Sequence, residues 1–207
     1  MVLELTELEV IAVRLYTGPA YQPINGFLRE VSKLGKEWRQ RLARSHQFTY
    51  ARTVHHLSCG LRKLARVNTN FARVFRGLRG ELPEAFWLRD AFGMVTATDF
   101  GFMSTSLDLA VSESFLPESG KCVMWEIECS PETDEGFHSA ADVSVLSQYP
   151  AEREMLFPPL TMLTVKTEAG GASSAGGRKG TAGAMVRTGK TAKGVEYMLI
   201  KAIPTFV

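Results

Sequence analysis

Glu152 and Glu154 stand one residue apart in Tyr149-Pro150-Ala151-Glu152-Arg153-Glu154-Met155-Leu156-Phe157-Pro158-Pro159, at the mouth of an apolar run. If Met155 to Val165 is a strand, period-two geometry points both carboxylates to one face and Arg153 to the other. Like charges held that close repel, so the pair calls for a cation between them or a separate task for each. An isolated ExE is more often a solvated turn. Its upstream company weighs against that. Val74-Phe75-Arg76-Gly77 puts a permanent cation at the end of a strand, before a glycine that lets another group approach the backbone. Phe100-Gly101-Phe102-Met103-Ser104-Thr105-Ser106 places hydroxyls on or just after a strand, with Phe115 in the segment that follows. Taken singly, Arg76 reads as a strand-end ion pair, Ser104 as a satisfied strand-edge hydroxyl and Phe115 as core packing.

Other motifs fail on context. Ala184-Met185-Val186-Arg187-Thr188-Gly189-Lys190-Thr191 nearly matches a phosphate-binding P-loop. That chemistry needs a buried strand before the loop and a helix after it, and Gly194 interrupts any such helix. His55-His56 has no HExxH or Cys/His partner. His56-Leu57-Ser58-Cys59-Gly60 lacks the first glycine of a nucleophile elbow. A zinc enzyme and a serine hydrolase are set aside.

The elements that must carry the three segments change character along the chain. Thr6 to Leu15 has helical apolar spacing (Leu8, Ile11, Ala12, Leu15) with Thr6 as N-cap, and Gly18-Pro19 stops it. Tyr21 to Leu34 repeats the pattern through Ile24, Phe27, Leu28 and Val31, and Thr53 to Ala65 is a third helix. Strands are expected at Phe71 to Arg76 (broken by Gly77 and Gly80), Phe100 to Ser106, Cys122 to Cys129 with one polar face, Leu156 to Lys166 and Val195 to Phe206. Leu82 to Ala91 and Leu107 to Phe115 read as short helices. Helices first and strands later argue an α+β fold. Gly170 to Gly194, rich in Gly, Ala, Ser, Lys and Thr, reads as a long flexible loop, either functional or dispensable.

The chain has 207 residues, 45% hydrophobic and 22% charged, which suits one globular domain. No apolar run reaches the roughly eighteen residues of a membrane span, and the acidic start, with Glu4, Glu7 and Glu9, is no signal peptide. Cys59, Cys122 and Cys129 fit neither a disulfide framework nor a zinc site, and they favour a reducing, cytoplasmic setting. The net charge of +2 hides a basic stretch from Arg29 to Arg79 and an acidic one from Glu81 to Glu154. The basic half either attracts an anion or pairs with the acidic half.

In their order, the arginine, the Ser-Thr-Ser and the ExE resemble the R-S-E signature of the arginine-specific mono-ADP-ribosyltransferases. That family includes cholera-type and clostridial binary toxins and the vertebrate ecto-ADP-ribosyltransferases. The resemblance runs from about Leu8 to Val165 and takes in Leu15-Tyr16-Thr17 and Tyr21 to Leu28. Ser147-Gln148-Tyr149-Pro150 is similar to the family's substrate-recognition loop. What it implies is a split, mostly antiparallel β-sandwich gripping NAD in a central cleft, with a helical N-terminal part alongside, all in one catalytic domain. Arg76 would hold the NAD pyrophosphate or adjoining ribose, with Gly77 and Thr105 beside it. Ser104 would position the nicotinamide ribose and the catalytic glutamate, and Phe115 would stack near nicotinamide. Glu154 matches the catalytic glutamate; Glu152 and Tyr149 would receive the acceptor, and glutamate rather than glutamine at 152 favours arginine. The implied enzyme is a monomer that takes NAD as co-substrate and needs no metal. It modifies an acceptor protein bearing a reactive arginine, not nucleic acid or membrane. An NAD glycohydrolase and a non-catalytic binding module of the same fold are the competing readings. The missing signal peptide and cysteine pairs of the ecto-enzymes, and the long Gly/Ser/Lys segment, are departures from the pattern.

Overall fold

The computed structural model describes residues 4–33, 49–67, 73–130, 140–167 and 186–205. Helix α1 (Glu7–Leu15) begins where Thr6 and Glu9 form a reciprocal capping box, the Glu9 amide donating to Thr6 Oγ1 and the Thr6 amide to Glu9 Oε2. Tyr16–Ala20 is a wide turn kinked at Gly18 beside Pro19, so the expected stop bends the chain into α2 (Tyr21–Lys33). Helix α3 is Ala51–Ala65. Strands β1 (Arg73–Arg79), β2 (Thr96–Asp99) and β3 (Met103–Ser106) follow. Helix α4 (Leu109–Ser114) is capped by Asp108, whose carboxylate accepts from the Ala110 amide. The remaining strands are β4 (Cys122–Glu128), β5 (Ala141–Asp142), β6 (Glu154–Phe157), β7 (Thr161–Val165), β8 (Val186–Lys190) and β9 (Glu196–Thr205). The expected α+β composition holds.

The chain divides into two compact units. One comprises Met1–Thr69, Asp99–Ser104 and Ala140–Thr161. It holds the three helices and, among strands, the order β3-β6-β5. Its core is built from Val13, Tyr16, Ile24, Leu57, Phe102 and Leu156, all essentially inaccessible. The other comprises Asn70–Thr98, Thr105–Ser139 and Met162–Val207, with the strand order β2-β7-β9-β4-β1-β3 and β8 beside β9. β1 pairs antiparallel with β3 and β4, and β9 pairs antiparallel with β7 and β8 but parallel with β4. Its core centres on Val74, Met124, Trp125, Ile127 and Ile200.

Several expectations need correction. Gly77 does not break β1; Arg76 and Gly77 lie mid-strand, opposite Trp125 and Met124 of β4. Leu82 to Ala91 yields only one tight turn, Glu84–Trp87. Phe86 packs edge-on against Trp125, and the Asp90 side chain captures the Phe92 and Met94 amides that a continuing helix would use. Leu156 to Lys166 is two strands, because Pro158 and Pro159 cannot donate to a ladder. Leu160 then turns with φ 67°, its amide donating to Asp99 O. The polar face of β4 is ion-paired rather than solvated: Glu126 is buried against Arg73 and Lys201, and Glu128 pairs with Lys166.

The expected loop Gly170 to Gly194 is corrected over its last part. Val186–Lys190 is strand β8, antiparallel to β9, and Thr191 and Gly194 close the hairpin. The P-loop-like residues from Val186 onward therefore form a strand and lead into another. The rest of that stretch, and the Phe71 and Ala72 start of the first strand, lie outside the described residues.

Candidate active site

Glu154 opens β6, next to β3 with Ser104 in the strand order of the first unit. The Glu154 carbonyl accepts from the Val143 amide, and β6 continues in register with β5 at Met155↔Asp142 and Leu156↔Ala141. The Glu154 residue is 6% exposed, while Ser104 is half-buried. A carboxylate this enclosed, on a strand fixed from both sides, is a positioned group rather than a solvated one.

Glu152 is not one strand step from Glu154. Pro150–Glu152 forms a tight turn, with Glu152 N donating to Tyr149 O and Arg153 N to Pro150 O. Arg153 takes left-handed angles, φ 48° and ψ 49°, which carry the chain from that turn into β6. The alternation expected to point both carboxylates to one face therefore does not apply. The two glutamates instead sit in different surroundings. Glu152 is half-buried, and burial pushes its carboxyl above the ordinary carboxylate value. Tyr149, just before the turn, is about half exposed.

The loop bearing Tyr149 and Glu152 is fastened to the end of α1. Gln148 N donates to Thr17 Oγ1 at 3.2 Å, and Gln148 Nε2 donates to Arg14 O at 2.7 Å. Gly18 makes room: a Cβ there would fall 2.2 Å from Gln148 Nε2. A second fastening precedes Ser104. Asn25 on α2 accepts from the Phe102 amide at 2.9 Å, and its own amide donates to Phe102 O and Tyr16 Oη. Gly101 is needed beside it, since a Cβ would lie 2.8 Å from Asn25 Oδ1. Asn25 did not stand out in the sequence, and Gln148 did so only as part of the loop Ser147-Gln148-Tyr149-Pro150, with nothing to show its bonds to Arg14 and Thr17. The available signal was a polar Asn25 inside the apolar stripe of α2, next to the fully buried Ile24.

The second unit carries Arg76, Gly77, Thr105 and Phe115. Arg76 is half-buried on β1 and Thr105 is buried on β3. What approaches Gly77 closely is helix α4: a Cβ would meet Ser112 O at 2.7 Å and Leu116 Cδ2 at 2.9 Å. Ser112 Oγ ties the same helix to Phe75 O. Phe115 is the C-cap of α4 and 52% exposed, with Leu116 taking the core position beside it. Core packing, one of the two readings of Phe115, is thereby ruled out. Among the described residues, no group of three or more His, Cys, Asp or Glu side chains could hold a metal ion. No helix among them is long and apolar enough to cross a membrane.

A large, mostly antiparallel sheet with an N-terminal helical segment matches the ADP-ribosyltransferase fold. The model of the family "ADP-ribosyltransferase exoenzyme" matches residues 1–203, and the chain belongs to that family. Three solved structures illustrate the likeness. The ADP-ribosyltransferase HopU1 of Pseudomonas syringae pv. tomato DC3000 is 20% identical with TM-score 0.59, over 94% of this chain and 76% of that one. Vis, from Vibrio splendidus and solved in complex with agmatine, is 19% identical with TM-score 0.56, over 96% and 75%. The eukaryotic mono-ADP-ribosyltransferase ART2.2 is 17% identical with TM-score 0.60, over 98% and 68%; a mutant of it has been solved with NADH. No curated protein matches by sequence.

Proposed function

We propose that this mono-ADP-ribosyltransferase moves ADP-ribose from NAD to the guanidinium of an acceptor arginine and releases nicotinamide. The observation that carries the reading is the division between the two glutamates: Glu154 enclosed on β6, Glu152 on a separate turn with a raised pKa. Enclosure suits a group that acts on an internal ribose, and the outer turn suits one that meets an incoming side chain.

Arg76 supplies a fixed positive charge for the pyrophosphate by charge-assisted hydrogen bonds. Ser104 orients the nicotinamide ribose and Glu154, while Phe115 offers an exposed ring for stacking on nicotinamide. The bond between nicotinamide and ribose C1′ breaks with its electron pair leaving on nicotinamide. The carboxylate of Glu154 accepts hydrogen bonds from the ribose hydroxyls and stabilises the oxocarbenium-like transition state. A guanidinium nitrogen then attacks C1′ and its proton passes to Glu152. An arginine is protonated throughout the physiological range and needs such a base. The glutamate at 152 and the agmatine bound by Vis, itself a guanidinium compound, support an arginine acceptor.

Labelled NAD with agmatine tests the proposal: ADP-ribosyl-agmatine is expected. Free ADP-ribose alone makes the protein a glycohydrolase. No NAD consumption with any acceptor makes it a binding module.

A further inference from the structure

The loop that carries Tyr149 and Glu152 has little regular structure of its own. Between Val143 and Glu154, no ladder holds it; its internal contacts are short turns such as Ser147 N to Val143 O and Tyr149 N to Ser147 Oγ. A side chain meant to meet a guanidinium within hydrogen-bond reach needs firmer anchorage. That anchorage comes from residues more than 120 positions away in sequence. Gln148 is bonded twice, by its backbone amide to Thr17 Oγ1 and by its side-chain amide to Arg14 O. Thr17 Oγ1 in turn donates to Arg14 O at 3.2 Å, and Arg14 Nη1 reaches Leu146 O at 3.4 Å. The cluster is therefore closed. Gln148 is otherwise exposed, so a structural need to satisfy a buried amide does not explain it.

We infer that Gln148 is a positioning residue for the acceptor, latching the Tyr149–Glu152 turn to the Arg14–Gly18 corner so that Glu152 meets the guanidinium in register. The inference rests on the arginine-transfer reading above. Glu154 opens β6, which pairs with β5 from Met155 onward, and its carbonyl accepts from the Val143 amide, so loosening the latch acts on the acceptor and not on cleavage of the nicotinamide bond. Gly18 belongs to the same device. Its backbone angles, φ −97° and ψ −160°, need no glycine, and only the space taken by Gln148 does.

Two variants break the latch differently. Gln148→Ala deletes the side-chain bond. Gly18→Ala crowds out the Gln148 amide, which sits at the end of a flexible side chain and can swing away without moving backbone. In each variant of the full chain, agmatine transfer and NAD hydrolysis are measured side by side, with a melting curve. One lost hydrogen bond of this type corresponds to a transfer kcat/KM lower by about 3- to 10-fold. We expect that loss, mainly as a raised KM for agmatine, with hydrolysis changed less than about 2-fold and the melting midpoint near that of the wild type. Equal loss of both activities, or transfer unchanged in both variants, overturns the inference while leaving arginine transfer intact. A wild-type protein that modifies no agmatine sinks the transferase reading itself and this inference with it.

Discussion

Glu152 and Glu154 differ by two positions in sequence and by environment in space, and that difference is testable one residue at a time. Glu154→Gln removes the carboxylate proposed to meet the developing cation, so transfer and hydrolysis should both fall by about 10²–10³-fold in kcat. Glu152→Gln should lose agmatine transfer while retaining much of the hydrolysis. Equal loss of both activities in the two variants would end the division of labour. The raised pKa of Glu152 gives a pH signature. A base works only when deprotonated, so transfer should decline on acidification at a pH above the ordinary carboxylate value. An acid limb of transfer at or below the ordinary carboxylate value would contradict the assignment. The residue types of Arg76, Ser104, Glu152 and Glu154 were legible because their chemistry is written in their side chains. Asn25, and the anchoring part that Gln148 plays within its loop, were not, because an amide becomes informative only once its partners, 77 and 131 positions away, are known.

At the scale of elements, the best-specified start is that of α1. Glu9 is nearly fully buried, receives the Thr6 amide and pairs with Lys63 of α3 at 2.8 Å. Burial by itself would raise its pKa, but the Lys63 and Thr6 contacts outweigh burial and leave it below the usual value. A depressed carboxylate pKa contributes stability above the unfolded-state value, and that contribution is lost as the pH falls through the folded-state value. Glu9→Gln should therefore lower the melting midpoint by roughly 3–6 °C at neutral pH, with a deficit that shrinks as acid protonates the wild type. A deficit independent of pH would show that the Lys63 ion pair contributes nothing. Helix starts of this kind were readable from Thr6 and the apolar spacing, since caps and periodicity are local. Strand limits were less so. Gly77 looked like a break, yet in β1 it is the small residue that admits α4. The paired prolines at 158 and 159 held the information that Leu156 to Lys166 must divide, and the continuous hydrophobicity around them masked it.

At the scale of the whole molecule, β9 explains why the last fifth of the chain cannot be treated as a dispensable loop. One edge of β9 pairs with β4 from Met198 to Ala202. The opposite edge is shared by two strands, β8 along Glu196–Ile200 and β7 along Ala202–Thr205. Without β8, the first half of β9 would present unpaired backbone groups to solvent. Tyr197 is buried there, its hydroxyl donating to Glu113; burial first, and then that carboxylate, push its pKa up to about 12, so it stays a neutral donor. Gly189 of β8 lies directly against the Tyr197 ring, where a Cβ would come within 2.2 Å. The Gly, Ser and Lys content of Gly170 to Gly194 concealed this strand, because an edge strand with only partial burial needs few apolar residues. Replacing 170–194 with a short turn should therefore cost stability, whereas composition alone suggested a segment dispensable for chemistry. The informative comparison keeps Val186–Gly194 and alters Gly189→Val, which leaves the chain length intact and drives a branched side chain into Tyr197. The melting midpoint should drop in both variants, with far-UV signal lost from the sheet. A Gly189→Val protein as stable as the wild type would mean that β8 does not seat on β9 in solution.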